Sequence, residues 1–349
     1  MKNTINANIE YLGRLFKTSI TKQLTDDEYN EIVDYINKRP SKESALNEII
    51  KVKNGGLKIS NITGYYFLSL MYDVRNGQDA WSINEAIQNK KIMEYFNGKI
   101  SVNEKVFPKS LPLGERILTA FRLCGIRCCR KPSQFPLKTI NELLDTYTKP
   151  GDNYYDFSCG WGVRLLSSMT HNLNYFGTDP NTALVEKLNE LSNDYKVVIG
   201  DKVYTDIRPV GSEVFIPEWE NKMDFIFSSP PYFAFEIYKS ENQSYKEDMS
   251  YKDWLDTWMS PTFKNIKMYL KDNGIFAINI KDIVYNKHLW PLESDTVKLA
   301  ESFGFELVNI HILKNIKRTF GSVHWEKHTT GINEKANEHI FVFKKITGD

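Results

Sequence analysis

From about residue 150 the chain alternates short apolar runs with helical stretches, and this alternation constrains the fold more than anything else in the sequence. The spacing predicts strands at Tyr154–Phe157, Tyr175–Thr178, Val197–Ile199, Met223–Ser228, Gly274–Ile280, Phe305–Leu313 and Ile340–Phe343. Helices are expected between most of them, for example Ala183–Ser192 and Tyr251–Leu270. Strands that alternate with helices build a mostly parallel sheet covered on both faces. The segment between the last two strands is rich in Gly, Thr, Asn and charge and leaves no room for a crossover helix. Those two strands should pair as an antiparallel hairpin, giving a doubly wound α/β sheet with a hairpin at its end.

Residues 1 to about 110 read differently. Thr25-Asp26-Asp27-Glu28 and Ser82-Ile83-Asn84-Glu85 fit the capping box, in which side chains satisfy the free N–H groups of a helix start. Apolar residues at helical spacing follow each, and Asn54-Gly55-Gly56 and Asn76-Gly77 break the helices. A helical domain over 1–110 and an α/β domain over 111–349 are therefore expected, consistent with a length of 349 residues.

Composition excludes several classes. Lys and Arg total 45 against 44 Asp and Glu, so net charge announces no polyanion and only local patches can. No apolar run approaches membrane-spanning length and no signal-like amino terminus is visible, so a cytoplasmic protein without a membrane partner is expected. Four cysteines are too few for a disulfide framework. Cys124, Cys128 and Cys129 lack the paired spacing of zinc knuckles, and no metal is expected.

The first strand runs into Asp156-Phe157-Ser158-Cys159-Gly160-Trp161-Gly162. Gly160 and Gly162 at a strand-to-helix turn let backbone approach a ligand and aim helix N–H groups at it. Asp179 closes the second strand about 20 positions on, where an acid would hold a ribose diol. Asp201 follows the expected third strand and could take an adenine amino group. Three acids, Asp156, Asp179 and Asp201, would then line one crevice. NAD is disfavoured because Leu165 stands where the third glycine of its fingerprint would be.

The fourth strand runs straight into Ser229-Pro230-Pro231-Tyr232. Two prolines end ladder pairing and hold the chain extended. Ser229 and the Pro230 carbonyl can accept hydrogen bonds from an exocyclic amino group, and Tyr232 can stack on the ring that carries it. The bland alternative is a strand stop beside a surface tyrosine.

These segments resemble the S-adenosylmethionine-dependent amino-methyltransferases of nucleic acids. The tetrad is similar to their Asp/Asn/Ser-Pro-Pro-Tyr/Phe/Trp motif, and Asp156–Gly162 to their cofactor loop, one residue out of step. Lys131-Pro132-Ser133-Gln134-Phe135-Pro136 is similar to the His/Lys-Pro-x-x-Phe-Pro motif that precedes the first strand. The resemblance covers residues 131 to 349 and implies a Rossmann-like class I methyltransferase fold. It implies that Gly160, Gly162, Asp179 and Asp201 hold S-adenosylmethionine with Phe135 near its methionine end. Ser229, Pro230, Pro231 and Tyr232 would be catalytic, and Phe233 would help Tyr232 stack on a base taken out of its helix. Serine at the head of the tetrad leans toward cytosine N4 over adenine N6.

Six basic residues and no acid lie between Arg116 and Lys138, among them Arg127, Arg130 and Lys131. The terminal hairpin loop carries Arg318, Phe320 and Trp325. Cations interleaved with aromatics suit a nucleic-acid backbone and its bases, with DNA the expected partner. RNA and, less favoured, a protein glutamine amide present the same planar amino group. A non-catalytic nucleic-acid-binding subunit on a methyltransferase core is a further alternative, disfavoured because tetrad and acids are all present. His324, His328 and His339 lack an acidic organiser at local spacing and receive no catalytic role.

Overall fold

A computed structural model describes residues 20–75, 81–123, 129, 131–200, 203–230, 232–233, 238, 243–244, 246, 249–285, 288–313 and 338–346. The helices used below are α1 (Asp26–Asn37), α2 (Lys42–Lys53), α3 (Ser60–Tyr66), α4 (Lys90–Ser101), α5 (Leu113–Leu123), α6 (Leu137–Tyr147), α7 (Val163–Thr170), α8 (Thr182–Ile199), α9 (Ser260–Tyr269) and α10 (Leu292–Ser302). The strands are β1 (Asn153–Asp156), β2 (Asn174–Thr178), β3 (Thr205–Arg208), β4 (Met223–Ser228), β5 (Leu270–Ile280), β6 (Ile283–Tyr285), β7 (His288–Trp290), β8 (Phe305–Leu313) and β9 (Glu338–Lys345).

The chain divides into two compact units, but not at residue 110. One comprises 1–39 and 69–132; the other comprises 40–68 and 133–349. The physical reason lies in α2 and α3, which pack with α8. The Tyr66 hydroxyl donates to Asp194 at 2.7 Å, Lys42 pairs with the same carboxylate at 3.0 Å, and Lys53 Nζ donates to the Thr170 carbonyl at 3.3 Å. Burial and the Asp194 bond hold the Tyr66 phenol well above its ordinary pKa. In the first unit both expected capping boxes form: Thr25 accepts from the Glu28 N–H and Ser82 from the Glu85 N–H, with each glutamate reaching back. The rings of Phe96 on α4 and Phe121 on α5 meet edge to face at 4.7 Å in its core.

The second unit holds a seven-stranded sheet in the order β3-β2-β1-β4-β5-β9-β8. β1 to β5 run parallel, and β9 inserts antiparallel between β5 and β8. This is the doubly wound, Rossmann-like sheet with a terminal antiparallel hairpin expected from the sequence. β4 is buried at all positions but one, as a central parallel strand should be. A core of Trp219, Trp254, Phe263, Tyr269, Phe276, Phe305 and Phe343 fills the space between the sheet and α9 and α10.

One expected strand is helical. Val197–Ile199 forms the last turn of α8, and Gly200, at φ +74°, caps it by donating its N–H to the Lys196 carbonyl. β-Branched residues favour strands only weakly, and here burial of Leu188, Leu191 and Tyr195 carries the helix on. Val197 is left 82% exposed. The third strand is instead Thr205–Arg208, a short edge strand with one buried residue, Ile207.

Candidate functional site

Strand order reverses between β1 and β4: β2 and β3 lie to one side and β5, β9 and β8 to the other. Open α/β sheets take ligands at such a switch point, outside the carboxyl ends of the strands. Here β1 runs into the Asp156–Gly162 turn and β4 into the Ser229–Tyr232 tetrad. Ser228 Oγ donates to the Ser158 carbonyl at 3.3 Å, and Arg164 Nη2 donates to the same oxygen. Both expected ligand-facing segments are thereby tied to one point.

The two glycines of the turn serve different needs. Gly160 sits at φ +56°, and a Cβ there would meet nothing nearer than Arg164 Nη2 at 3.4 Å, so the turn is open on that side. Gly162 sits at φ +75°, and a Cβ there would lie 2.8 Å from the Phe67 ring and 3.0 Å from Leu191. Its lack of a side chain makes room for the end of α3, so packing by itself requires glycine here. Asp156 also departs from expectation. Fully buried, it accepts from Arg164 Nε at 2.8 Å, the Tyr175 hydroxyl at 2.9 Å and the Ser158 N–H at 3.3 Å. A carboxylate so occupied anchors α7 to β1 and β2. Burial works to lower the Arg164 pKa, but the adjoining Asp156 charge outweighs it and keeps the guanidinium ionised.

Asp179, at the end of β2, is buried, and its hydrogen bonds come from backbone N–H groups, Asn181 at 3.0 Å and Gly160. Burial raises its pKa to about 6, against the partial relief of those two donors. It is thus a carboxylate with acceptor capacity to spare, beside the open side of Gly160. Asp201 lies outside the described residues, and the strand expected to end at it does not exist: β3 begins after it and ends at Arg208. The acid within β3, Asp206, is engaged by Arg208 at 2.7 and 2.9 Å and by Trp219 Nε1 at 3.1 Å.

The tetrad leaves β4 with Ser229 half-buried and Pro230 buried; Pro231 lies outside the described residues. Ser229 Oγ donates to Asn279 Oδ1 at 3.1 Å, and the Tyr232 hydroxyl reaches the same atom at 3.5 Å. Lys281 Nζ lies 5.8 Å from the Tyr232 ring centroid and pairs with Glu338 at 2.6 Å. Phe233 does not join Tyr232 as a stacking ring. It is buried among Tyr251, Trp254 and Trp290, with centroids 5.2 to 6.0 Å away, because the chain turns back into the core after the tetrad. Phe135 packs edge to face on Phe227 of β4 at 5.3 Å, and Gln134 Nε2 donates to Thr63 Oγ1 at 2.7 Å, fixing the Phe-Pro segment beside the switch point.

Lys131 is exposed and belongs to the first unit. Arg127, Arg130, Arg318, Phe320 and Trp325 lie outside the described residues. The His339 ring meets Glu293 at 2.7 Å, an acidic partner that local spacing did not suggest. Asn279 and Phe67 were not anticipated as site residues. The only sequence signal for Asn279 is an amide inside the apolar run Ile275–Ile280; Phe67 gave none. Among the described residues no helix is long and apolar enough to cross a membrane.

No family model matches the chain, and no curated protein matches it. Solved structures similar to it include a TehB-like SAM-dependent methyltransferase from Corynebacterium glutamicum, at 17% identity over 59% of this chain and 87% of that one, with a TM-score of 0.37. The cyclopropane synthase MmaA2 from Mycobacterium tuberculosis is similar at 10% identity over 60% and 84%, with a TM-score of 0.41. A 1,6-didemethyltoxoflavin-N1-methyltransferase from Burkholderia thailandensis is similar at 9% over 60% and 78%, with a TM-score of 0.39. Likeness at this level assigns no substrate.

Proposed function

We propose that this protein is an S-adenosylmethionine-dependent methyltransferase acting on the exocyclic amino group of a nucleic-acid base, DNA before RNA and cytosine N4 before adenine N6. One observation carries it: the Ser-Pro-Pro-Tyr segment and the glycine turn flank the switch point from adjacent strands, joined at the Ser158 carbonyl. The cofactor fits the residues present, since Gly160 leaves open space and Asp179 keeps acceptor capacity for a ribose diol. When bound, it supplies an electrophilic methyl group on a sulfonium.

The chain's own residues do the rest by orientation and electrostatics. Ser229 Oγ and the Pro230 carbonyl accept from the target amino group, which draws its lone pair out of conjugation with the ring. Tyr232 stacks on the base. With the cofactor in place, the nitrogen so oriented would take the methyl group from the sulfonium, and the amino proton would leave to solvent.

The test is transfer of labelled methyl groups to unmethylated DNA, with total RNA alongside and products digested to nucleosides for mass spectrometry. Label in N4-methylcytosine, lost in Tyr232→Ala while cofactor affinity holds, is expected. Label in N6-methyladenine would move the base, label only in RNA would move the substrate, and no label with either nucleic acid would overturn the assignment.

A further inference from the structure

A serine hydroxyl can donate or accept, whereas a base amino group at the tetrad requires acceptors only. The hydroxyl hydrogen of Ser229 must therefore point away from the base. Among the described residues its acceptor is Asn279 Oδ1, at 3.1 Å. Asn279 cannot readily turn its amide over, because Nδ2 donates to the His339 carbonyl of β9 at 3.1 Å and the side chain is buried at the carboxyl end of β5. A turned amide would oppose two oxygens at His339 and offer a donor to Ser229.

We infer that Asn279 is a positioning residue for methyl transfer. It takes up the Ser229 hydroxyl hydrogen, so that Ser229 Oγ meets the target amino group as a pure acceptor. The inference rests on the amino-methyltransferase function proposed above. It also explains how serine can serve at a position where the resembling family also uses aspartate, which has no hydrogen to dispose of. An aspartate introduced at 229 would face the fixed Asn279 oxygen and be repelled by it.

The experiment is single-turnover methyl transfer to unmethylated DNA, with cofactor affinity measured in parallel, for wild type, Asn279→Ala, Ser229→Ala, Ser229→Asp and the two double variants. Asn279→Leu, which keeps the volume, replaces Asn279→Ala if that variant melts early. The inference expects Asn279→Ala to slow transfer about tenfold or more, as loss of one well-placed hydrogen bond does, with cofactor affinity unchanged. In the Ser229→Ala background the same change should cost nothing further, and in Ser229→Asp it should restore rate. A residue that merely braced β9 would slow all three backgrounds alike, and that result, or no effect in wild type, overturns the inference while leaving the proposed function standing. A wild-type protein that methylates no amino base overturns both.

Discussion

At the scale of single residues, the acids of the crevice divide by what already holds them. Asp156 has a buried arginine and a tyrosine hydroxyl; among the described residues Asp179 has backbone donors only. We therefore expect Asp179→Asn to weaken S-adenosylmethionine binding by roughly 10- to 100-fold, the loss of a charge-assisted bond pair, as read by calorimetry. The pH dependence follows in sign. With its pKa raised to about 6, Asp179 is ionised above that value and protonated below it. In the proposed function binding uses the ionised form, so affinity should hold from pH 8 to about 6.5. Below pH 6 it should fall, by about tenfold per unit once protonation is complete. Asp179→Asn should flatten that profile.

At the scale of elements, the strand-to-helix turn can be probed glycine by glycine. Gly162→Ala combines a left-handed φ with a Cβ 2.8 Å from Phe67 and should destabilise the protein by about 2–4 kcal/mol in denaturant melts. Gly160→Ala has room and should cost only about 1–2 kcal/mol, while affecting cofactor binding more. How much of this was legible in sequence depended on what set each element. β4 and β8 were read to the residue, because apolar runs and proline or glycine stops fix them locally. The extra turn of α8 was not, because burial of Leu191 and Tyr195 overrode three β-branched residues. The turn and the tetrad were legible as motifs. Their supports were not: Phe67 and Asn279 reach them only through pairings far apart in the chain, and Arg164, six to eight residues from its partners, carries no motif that marks it as their clamp.

At the scale of the molecule, a boundary drawn at residue 110 cuts through a compact unit. A fragment of residues 111–349 lacks α2 and α3 and with them the Tyr66 and Lys42 partners of Asp194 and the Phe67 ring that packs on Gly162. Loss of even one buried aromatic costs about 3–5 kcal/mol, comparable with the ~5–15 kcal/mol that holds a domain together. We expect this fragment to show no cooperative thermal transition; a melt matching that of the full chain would show α2 and α3 to be dispensable.

The Ser158 carbonyl receives both Ser228 Oγ and Arg164 Nη2, and Arg164 is itself clamped by Asp156. We therefore expect the Asp156–Gly162 turn not to open independently of β4. Its amides should exchange with solvent deuterium only when the end of β4 releases as well, so that turn and strand lose protection together as one cooperative opening unit. Ligands would then enter across a preformed floor rather than past a moving flap.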